Sequence, residues 1–214
     1  MKKKIVVSLV TFFVILNIQA QVGLNVKSKK LGEIPIVTAE EDSLFKKEGL
    51  FCATFEFAYQ YLVNDENKFE LWQMEHRVFK IYDEKNAKDF EFLEFGTIDP
   101  ESIYTIQVRV LKNGEVLKSY TKKDLETKKD EEASEDESPV VKMKLQGVEI
   151  GSMVEYLIVR KRSYIIEQDN INLQYRYPVK NIQFTIVMPQ HLKPFVQLYN
   201  GNYPILDTVV DSKE

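Results

Sequence analysis

The segment EIGSMVEYLIV, residues 149–159, decides the fold because it is apolar on both faces of an extended chain. Side chains of a β-strand alternate between two faces, so the odd positions from 153 to 159 share one face and the even positions share the other. Both faces are apolar except at Glu155. A strand of this kind is typical of the centre of a sheet that is covered on both sides.

The carboxylate of Glu155 must therefore be paired or hydrogen-bonded, because burying an unpaired carboxylate is costly. We expect it to accept a hydrogen bond from an arginine on a neighbouring strand, either Arg109 or Arg176. A buried pair that fixes the strand register is favoured over a binding site. Gly151 and Ser152 are predicted to form the turn that leads into the strand, since glycine tolerates the backbone angles of a turn.

Strand-like patterns continue on both sides of this segment. In FCATFEFAYQY, residues 51–61, the odd positions are apolar or aromatic, which predicts a half-buried strand. In IQVRVLKNGEVLKSY, residues 106–120, two such runs flank Asn113-Gly114, a pair suited to a type I′ hairpin turn. About ten short strands separated by turn residues predict a mainly β chain that folds as an antiparallel two-sheet β-sandwich.

Two segments do not fit the strand pattern. Residues 21–48 are mixed and polar, and we expect an irregular lead-in with a short helix near residues 39–47. Residues 121–139, TKKDLETKKDEEASEDESP, have too few apolar side chains to offset the entropy of ordering them. We expect a mobile acidic loop there, within a sandwich domain at residues 49–214. A calcium site is disfavoured, since the turn glycine and alternating ligands of an EF-hand loop are missing.

The N-terminus has the pattern of a secretory signal peptide over residues 1–20. Three lysines precede an apolar run at residues 5–16, and cleavage is expected after Ala20. An uncleaved anchor is disfavoured because a membrane span needs about 20 apolar residues. We expect export to the periplasm or the extracellular space, with no transmembrane segment in the mature chain. Cleavage changes the formal net charge from −4 to −7, which disfavours nucleic-acid binding.

Candidates for catalysis are few. Cys52 is the one cysteine, so no internal disulfide is expected. As a nucleophile it would need His76 or His191 as its base, but its place between Phe51 and Ala53 in a strand favours a buried, inert thiol. Neither histidine has a partner at zinc-ligand spacing, and no nucleophile elbow, phosphate loop or zinc-protease motif occurs. We therefore expect no catalytic residue, no metal and no cofactor.

The aromatic side chains raise the question of glycan binding. The chain has 11 tyrosines, 13 phenylalanines and one tryptophan, and exposed aromatic rings can stack on sugars. Strand parity places most of the phenylalanines in the core. Trp72, Tyr199 and Tyr203 remain as candidates for an exposed sugar platform.

GSMVEY, residues 151–156, resembles the Gly-Ser-x-x-Glu-Tyr signature of a secreted family. That family is a domain of unknown function found N-terminal to transglutaminase-like domains in Gram-negative bacteria. Three further segments fit its pattern in order and extend the resemblance over about residues 50–200. They are EHRVFKIYDEKNAKDFEFLEF (75–95), VRVLKNGEVLKSY (108–120) and LQYRYPVKNIQFTIVMP (173–189).

The resemblance implies a β-rich sandwich that precedes a papain-like core with a Cys-His-Asp triad. No cysteine follows residue 52, so that core is not expected in these 214 residues and no family catalytic residue carries over. The signature residues that carry over as binding candidates are Gly151, Ser152, Glu155 and Tyr156.

The expected function is that of an exported, non-catalytic module that positions a partner or substrate. The partner would be a transglutaminase-like domain or an envelope peptide or glycan. Two alternatives stay open: an envelope glycan-binding module, and a cysteine hydrolase that uses Cys52.

Overall fold

The computed structural model describes residues 25–128, 139–162, 175–189 and 192, and these residues are mainly β. The predicted signal peptide lies outside them. No helix in the described part of the chain is long and apolar enough to cross a membrane. The strands are β1 (Leu50–Val63), β2 (Phe69–Ile81), β3 (Phe92–Thr97), β4 (Ile103–Lys112), β5 (Glu115–Thr121), β6 (Leu125–Lys128), β7 (Val140–Lys144), β8 (Met153–Arg162) and β9 (Ile182–Val187), and the α-helices are α1 (Ala39–Phe45) and α2 (Glu84–Asp89).

The strands form two sheets, as predicted. The larger has the order β5-β4-β8-β2-β1-β9, and the smaller has the order β3-β7-β6. The antiparallel prediction is wrong for one pair, because β9 runs parallel to β1. β8 and β1 point the same way, since each is antiparallel to β2. β9 therefore also runs parallel to β8, and residues 163–181 supply the dozen or more residues that a crossover connection needs.

β8 is a central strand covered on both faces, which confirms the prediction from residues 149–159. It pairs with β4 on one side and β2 on the other. Tyr156 and Ile158 face the core between the two sheets. Leu157 and Val159 face a second cluster on the opposite side of the large sheet, where Val26 of the lead-in packs.

The lead-in covers the second face of the large sheet. The backbone N–H of Val26 donates to Gln60 Oε1 at 2.9 Å, and that of Leu31 donates to Gln107 Oε1 at 3.0 Å. The short helix appears as α1, followed by a 3-10 turn at Lys46–Glu48, so the irregular or helical lead-in is confirmed for residues 25–48.

The predicted parity of β1 is wrong at its start. A bulge between Cys52 and Thr54 shifts the register against β2. An extra residue in a bulge reverses the alternation of side chains that follows it. Phe51 and Ala53 therefore pack with the lead-in, whereas Cys52 and Phe55 face the core between the sheets. β1 is buried on both faces rather than half-buried.

The hairpin between β4 and β5 has the predicted turn. Asn113 and Gly114 both have positive φ, 53° and 80°, as a type I′ turn requires.

The loop predicted over residues 121–139 is wrong for its first part, where the chain has regular structure up to Lys128. Leu125–Lys128 form β6, which pairs with β7. Leu125 packs half-buried against the core, and a capping box between Thr121 and Asp124 shapes the preceding turn. These contacts offset the cost of ordering the charged residues around them. Residues 129–138 of the predicted loop lie outside the described residues.

Candidate functional site

Gly151 and Ser152 form the turn that leads into β8. The N–H of Ser152 donates to the carbonyl of Glu149 at 2.9 Å, which closes a four-residue turn. Gly151 has φ +87°, the conformation that such a turn requires at its third residue and that favours glycine. Ser152 is buried, and its Oγ accepts from the Glu149 N–H at 3.1 Å. These two signature residues therefore shape the turn through which the chain passes from β7 of the smaller sheet to β8 of the larger one.

Glu155 is buried and paired, as expected from the sequence. Its side chain is 2 % exposed, and Arg109 stands directly opposite it on β4 and donates through Nε to Oε2. The predicted pair with Arg109 is confirmed. Arg176 is exposed and forms no ion pair with Glu155 among the described residues. A second partner was not expected: His76 Nε2 lies 2.9 Å from Glu155 Oε1.

These side chains belong to a row of four that crosses four neighbouring strands. Glu56 on β1, His76 on β2, Glu155 on β8 and Arg109 on β4 alternate in sign, and we call them the charge ladder. His76 Nδ1 lies 3.4 Å from Glu56 Oε2. Arg109 Nη2 also donates to the carbonyl of Glu33 at 2.8 Å, which ties the ladder to the lead-in.

His76 is protonated at neutral pH in this environment. Burial lowers the pKa of His76, but hydrogen bonds to Glu155 and Glu56 outweigh it and raise the pKa to about 9. The hydrogen bond from His76 also lowers the pKa of Glu56, against the effect of burial. An imidazolium with both nitrogens engaged cannot accept a proton, so His76 is a poor general base.

Cys52 has the environment of a buried, structural thiol. It is 1 % exposed, and burial raises its pKa to about 12. Its Sγ donates to the carbonyl of Thr54 at 3.1 Å. Cys52 faces the core between the sheets, whereas His76 joins the charge ladder on the opposite face of the large sheet. The structure therefore does not bring Cys52 and His76 together, and His191 lies outside the described residues.

Trp72 does not form a sugar platform. It is 2 % exposed and packs edge-on against Tyr104, with ring centroids 5.0 Å apart. Its Nε1 donates to Glu70 Oε2 at 3.3 Å. The expectation of an exposed Trp72 is wrong because the lead-in and Tyr104 cover it. Tyr199 and Tyr203 lie outside the described residues.

Tyr156, the last signature residue, lines a cavity between the two sheets. The cavity has a volume of about 270 Å³. No group of three or more His, Cys, Asp or Glu side chains is arranged for a metal within the described ranges. The walls of the cavity include Glu75 and Arg77 of β2, Tyr156 and Arg160 of β8, and Glu94 and Phe95 of β3.

The cavity wall carries a compact polar group. Tyr156 Oη donates to Glu75 Oε1, and Arg77 Nε lies 2.8 Å from the same oxygen. Arg77 stacks on the Phe55 ring at 4.1 Å and donates to Tyr177 Oη at 3.2 Å. Burial and the charge of Glu75 raise the pKa of Tyr156 well above its usual value, so it remains a hydrogen-bond donor.

The sequence pattern alone does not reveal this polar group. Its signal in the sequence is the alternation of Glu75 and Arg77 within β2, and of Tyr156 and Arg160 within β8. That alternation puts charged side chains on one face, but it does not show that a second sheet covers the face.

Comparison with known proteins gives one structural likeness. No family model and no curated protein matches the chain. A solved structure, described as that of a "putative protease" from Parabacteroides distasonis ATCC 8503, superposes with a TM-score of 0.51 at 16% sequence identity. The match covers 66% of this chain and 29% of that one, so the chain spans less than a third of the protein it resembles. At this identity the likeness shows a shared fold alone.

Proposed function

We propose that this chain is an exported, non-catalytic β-sandwich module that positions a partner or substrate for a transglutaminase-like catalytic domain. The resemblance of residues 151–156 to the family signature supports the pairing with such a domain. The solved structure supports a modular role, since the shared fold makes up 29% of a longer chain there.

The placement of Cys52 is the observation that carries the non-catalytic part of the proposal. A catalytic cysteine needs access, a lowered pKa and a base within hydrogen-bond reach. Cys52 has a raised pKa, is buried and lies on the opposite face of the sheet from His76. Because the 214 residues contain no other cysteine, a triad of this type would have to come from outside them.

The exposed edge of the large sheet supports recognition of an extended peptide. Among the strands that the structure describes, β5 is the edge strand next to β4, and most of its side chains are exposed, including Val116 and Leu117. An edge strand offers unpaired backbone groups to which an incoming strand can add.

The test begins with the DNA beyond the codon for Glu214. An in-frame continuation that encodes Cys, His and Asp in that order would support the proposal. The two-part protein and its isolated catalytic part would then be compared, and we expect the module to lower KM with little change in kcat. An immediate stop codon would contradict a covalently attached catalytic domain, and an unchanged KM would contradict the positioning role. N-terminal sequencing of the exported protein tests export separately, with Gln21 as the expected first residue.

A further inference from the structure

Three buried polar atoms have no hydrogen-bond partner among the described residues: Gln73 Oε1, Arg77 Nε and Arg160 Nε. Arg77 and Arg160 line the cavity between the sheets, whereas Gln73 is not one of its lining residues. Gln73 stands directly opposite Arg160 in the β2–β8 register, and Arg77 stands opposite Tyr156. Buried polar atoms in proteins are nearly always satisfied, so the unsatisfied Arg160 Nε on the cavity wall and the unsatisfied Gln73 Oε1 opposite it point to a ligand.

The two arginines differ in how their charge is compensated. Arg77 Nε is within ion-pair distance of Glu75, 2.8 Å, although its N–H is not aligned for a hydrogen bond to that oxygen. At this distance the carboxylate of Glu75 neutralises the charge of Arg77. Arg160 has no ion pair in the described ranges, and burial lowers its pKa, with only partial compensation from Glu75. Arg160 is therefore the arginine of the cavity wall that has no ion-pair partner among the described residues.

We propose that the cavity binds a carboxylate that is adjacent to an N–H group, as in the C-terminal residue of a peptide or in an N-acylated amino acid. The carboxylate oxygens accept from Arg160 Nε and Arg77 Nε, which are charge-assisted donors. The N–H of the same ligand donates to Gln73 Oε1. Phe95 and Ile98, on the wall formed by the second sheet, provide apolar contact for the ligand side chain.

The size and charge of the cavity favour this ligand class over others. Its volume of about 270 Å³ is below that of typical drug-sized pockets, about 300–1,000 Å³, and suits a group the size of one amino acid. Glu75 and Glu94 also line it, so a multiply charged anion such as phosphate is repelled more strongly than a single carboxylate. This inference goes beyond the proposed function, because binding by the isolated chain does not require a catalytic domain.

The test follows the arginine Nε–H signals by NMR in the ¹⁵N-labelled exported chain. The probe is N-acetyl-alanyl-alanine with a free carboxylate, and its C-terminal amide is the matched control. We expect the free acid to shift the Nε–H signals of Arg160 and Arg77, and the amide to bind at least about tenfold more weakly. Equal binding of the two probes, or no shift with about 10 mM free acid, would overturn the proposal.

Substitutions on β8 separate the effect of the planar Nε–H donor of Arg160 from the effect of its positive charge. Arg160→Lys keeps the positive charge but removes the planar Nε–H donor, and we expect about tenfold weaker binding. Arg162→Lys, on the same strand but outside the cavity wall, is the control and should bind as the parent chain does. Unchanged affinity in Arg160→Lys would overturn the site.

Acetate serves as a further probe because it has the carboxylate without the N–H. If the acetylated dipeptide binds more tightly than acetate, the role of Gln73 is supported and the ligand is an acylated chain end. If acetate binds equally well, the role of Gln73 is overturned and the source is a free small carboxylate.

Discussion

Replacing Glu155 by glutamine tests the charge ladder directly. Glutamine has nearly the same shape, so the packing of β8 is kept while the negative charge is removed. His76 and Arg109 then lose the carboxylate that both contact, and two cations remain near each other inside the fold. Breaking a buried pair by removing one partner leaves an uncompensated charge, which is the costly case.

The expected loss follows from the burial of the three groups. Such a change typically costs about 3–5 kcal/mol. Glu155 is 2 % exposed, but the side chains of Arg109 and His76 are 12 % and 19 % exposed, and water can partly solvate them. We therefore expect Glu155→Gln to lower the free energy of unfolding by an amount at the lower end of this range, about 3 kcal/mol. For a domain of this size that corresponds to about 6–12 °C in melting temperature.

Thermal unfolding at pH 7 followed by circular dichroism measures this loss. The matched control is Glu149→Gln, because Glu149 also pairs with a basic side chain, Lys112, but is 58 % exposed. Exposed pairs contribute about 0–1 kcal/mol, so the control should melt within about 4 °C of the parent chain. The pKa of His76, followed by NMR, should also fall in Glu155→Gln. Equal melting of the two variants together with an unchanged His76 pKa would refute the ladder as a buried, coupled unit.

Three further predictions rest on other features. The pKa of His76 is about 9 in the folded chain against an ordinary 6.5, so the stability that protonated His76 gives the fold is complete below pH 6.5 and is lost as the pH rises through 9. Urea unfolding should show that the free energy of unfolding falls by about 3 kcal/mol between pH 6.5 and pH 9, and His76→Gln should remove this pH dependence. Cys52 should react with a thiol reagent at least about 100-fold more slowly in the native chain than in guanidinium, and rapid native labelling would contradict its burial. Gly49→Ala should lower the free energy of unfolding by about 2 kcal/mol, because Gly49 has φ +76° and an added Cβ would lie 2.1 Å from Asp83 Oδ2. Gly114 has a similar φ of +80° but no atom near the position of an added Cβ, so Gly114→Ala should lower it less. Equal losses of stability in the two variants would rule out the clash with Asp83.

The features that were predicted correctly from the sequence depend on local pattern. The two apolar faces of residues 153–159 identify a covered strand because the side-chain period of a strand is two. Asn113-Gly114 identifies its hairpin because both positions tolerate positive φ. The cost of burying a charge predicts an arginine partner for Glu155, but it does not choose between Arg109 and Arg176.

The features that were missed depend on which strands become neighbours. β8 lies between β2 and β4, and no local pattern gives that order. From the sequence, His76 was therefore considered as a base for Cys52 or as a zinc ligand, whereas the strand order brings it between Glu56 and Glu155. Trp72 looked exposed because its burial depends on the lead-in. The bulge at Cys52 reversed a parity that the sequence alone predicted as regular.

Glu155 and Tyr156 are adjacent in the chain but serve opposite faces of the sheet. Glu155 belongs to a ladder in which each charge has an opposite charge beside it and the lead-in covers the row. A satisfied buried network specifies structure, because any other register would leave its charges unpaired. Tyr156 lies on the cavity wall, where Arg77 Nε and Arg160 Nε lack hydrogen-bond acceptors among the described residues. Unsatisfied donors destabilise the fold, so they are better explained by binding than by structure. One strand thus combines a residue that fixes the sheet with a residue that shapes a binding cavity.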